Sequence, residues 1–136
     1  MKSFLTKSLF YSFLLIISFF LNCNDDNPTD PNKLLRNVLY FALIRPENDS
    51  NISKLFKYID ENGDEIESDA NLNGYFVKEI KMKKGASIGL NAIGTSTENI
   101  PISILVSIDI NGKNYSEVYS YEKPYYNQAA VSGRVP

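Results

Sequence analysis

The chain has 136 residues, with 14 basic and 16 acidic side chains, one cysteine, no histidine and no tryptophan. The small negative balance argues against a nucleic-acid partner, which requires clustered positive charge. The missing histidine and single cysteine remove most nucleophilic triads and most zinc or copper sites, and the length allows one domain, not two.

Lys2 and Lys7 open the chain. Leu9 to Leu21 is apolar apart from Ser12 and Ser18, and Asn22-Cys23 is followed at once by Asn24-Asp25-Asp26-Asn27-Pro28. This is the layout of a bacterial lipoprotein signal: a positive start, an apolar core, cleavage before a cysteine, then a polar tether. The apolar run from Ser8 is shorter than the roughly 20 residues of a membrane span, and extending it backwards buries Lys7. Phe20, Leu21 and Asn22 fill the positions before the cysteine, with Asn22 where Gly, Ala or Ser is common. The Cys23 thiol is the acceptor for a diacylglyceryl group. Each buried methylene contributes about 0.8 kcal/mol, and stable anchoring takes more than one acyl chain.

The expected division is a signal peptide at 1–22, a lipidated cysteine and flexible tether at 23–33, and a domain at 34–136. The expected place is the bacterial cell envelope, anchored in the outer membrane on its periplasmic or surface face. Asp25 and Asp26 read equally as a surface-sorting signal or as a solvated spacer. Lipidation of Cys23 leaves no thiol for a disulfide, so the domain depends on its core alone.

From Leu34 onward, short runs rich in Val, Ile, Phe and Tyr alternate with Asn, Gly and Asp. Val38–Ile44 is expected as the first strand and Ser53–Asp60 as the second. Glu61-Asn62-Gly63-Asp64 turns the chain and Glu65–Ser68 returns. Tyr75–Met82 and Ala86–Ile93 follow. In 102–110, Ile102, Ile104, Val106, Ile108 and Ile110 share one face, with Ser103, Ser107 and Asp109 on the other. Asn111-Gly112 fits a type I′ hairpin, which needs positive φ at both residues. Lys113–Tyr121 pairs back, and Tyr126–Val135 closes the domain. About seven short strands at this spacing make an all-β, antiparallel immunoglobulin-like (Ig-like) sandwich.

Few residues suggest chemistry. Asp60, Asn62 and Asp64 resemble the start of a calcium loop, but Glu65 stands where such a loop needs glycine and Asn71 where it needs glutamate. A hairpin turn accounts for them instead. Lys78, Lys81, Lys83 and Lys84 suit either anionic headgroups or a guarded sheet edge. Glu65/Glu67 and Asp109/Glu117 are carboxylate pairs with nothing to place them in a pocket. No catalytic residue, metal or cofactor is expected. Tyr115, Tyr119, Tyr121, Tyr125 and Tyr126 crowd one stretch, as either a binding face or a half-buried strand. The candidate binding residues are Tyr119, Tyr121 and Tyr125. If the chain is extended there, Tyr119 and Tyr121 share a face, Tyr126 is core and Tyr125 is exposed.

Four segments carry a resemblance: FKYIDENGD (56–64), ASIGLNA (86–92), VSIDINGKNYSE (106–117) and YNQAAVSGRV (126–135). In this order of elements the chain resembles a family of small exported β-sandwich domains that includes mycobacterial small membrane proteins of the MmpS type. The resemblance runs from Phe56 to Val135. It implies an Ig-like sandwich and a role accessory to a large lipid exporter. The chain departs from the family at Asn73-Gly74-Tyr75-Phe76, where members carry Leu-Pro-Trp. It also lacks the paired cysteines of some members, and it is read as lipid-anchored, not membrane-spanning.

The functional expectation is a non-enzymatic lipoprotein. It is held on a membrane through Cys23 and binds another envelope component, a protein or transporter. The alternative is a glycan- or lipid-binding module using the tyrosines of 115–126.

Overall fold

A computed structural model of the chain describes residues 34–69 and 73–136. The expected signal peptide, the tether and the lipidation of Cys23 lie outside the described residues. Eight strands follow one another: β1 (Leu35–Arg45), β2 (Ile52–Ile59), β3 (Glu65–Asp69), β4 (Tyr75–Lys83), β5 (Ser87–Ser96), β6 (Pro101–Ile110), β7 (Lys113–Pro124) and β8 (Tyr126–Arg134). They form two four-stranded antiparallel sheets, in the orders β4-β1-β6-β7 and β3-β2-β5-β8. The chain changes sheet after β1, β3, β4, β5 and β7, so only β2–β3 and β6–β7 are hairpins within a sheet. This is the expected antiparallel sandwich.

Alternation decides what lies between the sheets. Val38, Tyr40, Ala42 and Ile44 of β1 face inward beside Ile102, Ile104, Val106, Ile108 and Ile110 of β6, and all are buried. From the other sheet come Phe56, Ile88, Leu90, Ala92, Ala129 and Val131. Two stacked sheets lie about 10 Å apart, so interdigitating Ile, Leu and Val fill the gap and bury apolar area from both sides. Near β4 the filling is aromatic. Phe76 lies 5.3 Å from Phe56 and 5.4 Å from Tyr58, and Tyr58 lies 5.8 Å from Tyr40, ring centre to ring centre. The Tyr40 hydroxyl donates to the Ile59 carbonyl at 2.9 Å, which satisfies the single polar atom of a buried ring.

The turns follow the local sequence. Asn111 and Gly112 have φ of 51° and 73°, the left-handed pair that a two-residue hairpin requires. Asp60 caps its own turn: its Oδ1 accepts from the backbone N–H groups of Asn62 and Asp64, each at 2.9 Å. These bonds, the one from Asp64 foremost, hold the Asp60 carboxyl below its ordinary pKa.

One expectation holds with an addition, and one needs correction. Ser103 and Ser107 do face away from the core, yet both are buried. Each is a short side chain among taller ones; Ser107 stands between Phe41 and Glu117 in register. Tyr126, expected in the core, is exposed. The reason lies one residue earlier. Tyr125 has φ of 66°, so the chain is not extended there and the alternation shifts. Asn127 takes the inward place, and Tyr126 turns out beside Gln128, to which its hydroxyl donates at 2.5 Å.

Candidate functional site

The outer faces of the two sheets differ in chemistry. On the β3-β2-β5-β8 sheet, Lys57 lies 3.0 Å from Glu67 and 3.6 Å from Glu65, and Gln128 donates to Asn91 at 3.0 Å. Hydrogen bonding to Glu67 raises the Lys57 pKa above its ordinary value. That face sets these polar pairs beside Leu55, Ile93 and the exposed Tyr126.

The outer face of β4-β1-β6-β7 is apolar at one end, while Asn37, Glu79, Lys81, Ser107, Asp109 and Glu117 share its other end. Leu43 of β1 pairs with Tyr75 of β4 on one side and with Leu105 of β6 on the other; Leu105 pairs with Tyr119 of β7. Directly opposed residues of an antiparallel pair share a face, so Tyr75, Leu43, Leu105 and Tyr119 form one row across all four strands. Beside it run Val77 and Phe41, paired in register. Tyr121 packs edge-on against Tyr119, with ring centres 4.9 Å apart. Four of these side chains are substantially exposed: Tyr75 at 45%, Val77 at 53%, Tyr119 at 49% and Tyr121 at 78%. Scattered apolar residues are normal on a surface, but these stand in register as a contiguous row.

The face is shallow. Leu43, Arg45, Ser103, Leu105 and Tyr119 line a cleft of about 140 Å³. Small-molecule sites run to roughly 300–1,000 Å³. The cleft is the size of one inserted side chain. The polar groups around it are Arg45, Ser103, Ser107 and Glu117. Sugars require hydrogen-bonding groups beside the stacking ring, and edge-on rings at Tyr119 and Tyr121 give no flat platform.

The five tyrosines of 115–126 therefore fall in different places. Tyr119 and Tyr121 share the apolar face, as expected. Tyr125 is exposed at the β7–β8 turn, where its carbonyl accepts from Ser96 at 2.8 Å. The Tyr115 ring lies against Gly133, and its hydroxyl accepts from the Arg134 N–H at 3.4 Å, which ties β7 to β8.

The other candidates disperse too. Lys78 and Lys81 line an open cleft with Asp60, Glu61 and Glu79, so that part of the basic cluster meets acidic neighbours. Lys83 ends β4, and Lys84 lies in the turn that follows. Glu65 and Glu67 share Lys57. Glu117 stands on the open outer face opposite Ser107, with Asp109 two residues along β6.

The residues missed from the sequence are Tyr75, Val77, Phe41, Leu43 and Leu105. A signal for them exists in β1, where VLYFALI is apolar on both faces. An antiparallel strand with one wet side should alternate.

No protein-family model matches this chain, and no curated protein matches it.

Proposed function

We propose that this protein is a non-enzymatic bacterial envelope lipoprotein, anchored by lipid on Cys23, that binds another envelope component through the apolar face of the β4-β1-β6-β7 sheet. The observation that carries the reading is the row Tyr75–Leu43–Leu105–Tyr119. Aromatic anchors around aliphatic residues are the composition of a protein-binding centre, where a few desolvated side chains supply most of the affinity. The small cleft and the edge-on rings favour a protein partner over a glycan. The resemblance noted above makes a transport assembly one candidate for that partner.

The anchor is tested by Cys23→Ala, which should abolish labelling by a fatty acid and release the protein from membranes. Retention after a carbonate wash would mean that the apolar leader is itself the anchor. The face is tested by affinity capture from solubilised envelope, comparing the wild-type chain with Tyr119→Ser/Tyr121→Ser. Both rings are exposed, so the melting curve should stay nearly unchanged while capture falls. Undiminished capture would remove the apolar face from the account.

A further inference from the structure

Among the described residues β7 pairs only with β6, so its other side is a sheet edge. A long bare edge is normally blunted by bulges, charges or proline. β7 has these devices at its two ends. Its pairing with β6 shifts between Ile108 and Asp109 and again between Ile102 and Ile104, and Lys113, Lys123 and Pro124 lie beyond the shifts. Between the two irregularities, Ser116 to Ser120 pairs without a break with Ile108 to Ile104.

Val118 is the centre of that straight run. It pairs with Val106 and so shares the inward face. Val106 is fully buried, whereas Val118 is 39% exposed. An inward-facing apolar side chain thus stands open at the rim of the sandwich. Ser116 and Ser120 flank it on the same face. Glu117, the one charge in the run, is on the other face with Tyr119.

We propose that β7 pairs antiparallel with β7 of a second copy of this chain, about a two-fold axis through Val118. This sets Val118 against its own copy, Ser116 against the second copy's Ser120, and Glu117 against the second copy's Tyr119. The axis maps the straight run onto itself and each bulge onto the other. Moving it to Glu117 would set that carboxylate opposite itself, which destabilises a strand pair. Moving it to Tyr119 would run a bulge against the straight segment. A register odd by one would oppose inward to outward side chains. The pairing satisfies edge N–H and carbonyl groups and covers the exposed valines. The pairing spans only the straight run Ser116 to Ser120, a small interface, so the dimer is reversible and fills at high local concentration, as on a membrane surface. The proposal concerns the edge, not the apolar face, and stands apart from the partner-binding reading.

Disulfide trapping in the full-length chain tests the register. Opposed residues of an antiparallel pair have Cα atoms about 4.5–5.5 Å apart, within disulfide range. Val118→Cys should give a 118–118 link under mild oxidation in cell envelopes, identified by peptide mass mapping so that Cys23 does not confuse it. Ser116→Cys alone should link at least tenfold less, because four residues of offset separate the two copies. Ser116→Cys/Ser120→Cys together should restore trapping as a 116–120 link. Absence of the 118–118 link, or equal linking at 116 and 118, would overturn the proposal. A parallel check is amine crosslinking of the wild-type chain: a dimer band should be lost on Val118→Lys, with the circular dichroism spectrum retained. A band that survives would refute the β7 edge as the contact.

Discussion

The side-chain nitrogen of Asn127, near the start of β8, donates to the carbonyl oxygen of Ile102 in β6 at 2.6 Å, joining one sheet to the other. Asn127 is fully buried. Its nitrogen also donates to the Tyr121 carbonyl at 2.9 Å, and its oxygen accepts from the Ser120 hydroxyl at 2.6 Å and from the Gln128 N–H at 2.9 Å. The pairing between β6 and β7 is irregular near Ile102, and this one amide bonds carbonyls on both strands there. Asn127→Ala should therefore destabilise by about 1–3 kcal/mol, the cost of buried carbonyls left unpaired. Asn127→Asp should cost more, because a carboxylate cannot donate and its charge would be buried. Ser120→Ala should cost less than either. Urea melts of the three variants give the order.

Gly94 is the point where the sheets leave room for no side chain. A Cβ there would stand 2.7 Å from Ile102 Cγ2 and 3.2 Å from Ile44 Cγ2, both fully buried. Gly94→Ala should destabilise by about 1–3 kcal/mol through overpacking. Gly133→Ala also meets a neighbour, but that neighbour is the exposed tip of Tyr115, which can swing away. Its cost should be the smaller of the two. Equal losses in denaturant would mean that the core at Ile102 yields more than its packing implies.

Burial pushes the Tyr40 pKa from 10.0 up to about 12. The folded state thus holds the neutral phenol more tightly than the unfolded state does. The associated stability is complete below pH 10 and declines as the pH rises from 10 towards 12. In an ultraviolet titration, one phenol should ionise late, in a step coupled to unfolding. Tyr40→Phe should remove that late step. If the late step persists in Tyr40→Phe, another tyrosine is the protected one.

The strands were legible because their faces differ. The Ile-Val face of β6 and the Asn111-Gly112 turn can be read from neighbouring residues alone. At Gly112 a Cβ meets nothing within 4 Å, so Gly112→Val tests backbone strain without crowding; a loss of about 1 kcal/mol or more is expected at a φ of 73°. Tyr126 was misplaced because Tyr125 adopts a left-handed conformation that its residue type does not announce. The apolar face was hidden for another reason. Tyr75, Leu43, Leu105 and Tyr119 are far apart in sequence, and only the pairing of β1 with β4 and β6, and of β6 with β7, brings them into one row. The unbroken apolar run of β1 signalled an unusual outer side without saying what lies beside it.

The central claim is that the outer face of β4-β1-β6-β7 meets a partner while the opposite outer face meets water. Site-specific photocrosslinking in living cells tests it most directly. A photoreactive residue at Tyr75 or Val77, both remote from the β7 edge, should give a discrete adduct with another envelope component. The same residue at Ala130 or Ser132, on the β3-β2-β5-β8 face, should give none. Equal labelling from both faces, or no adduct at Tyr75 and Val77, would contradict the account.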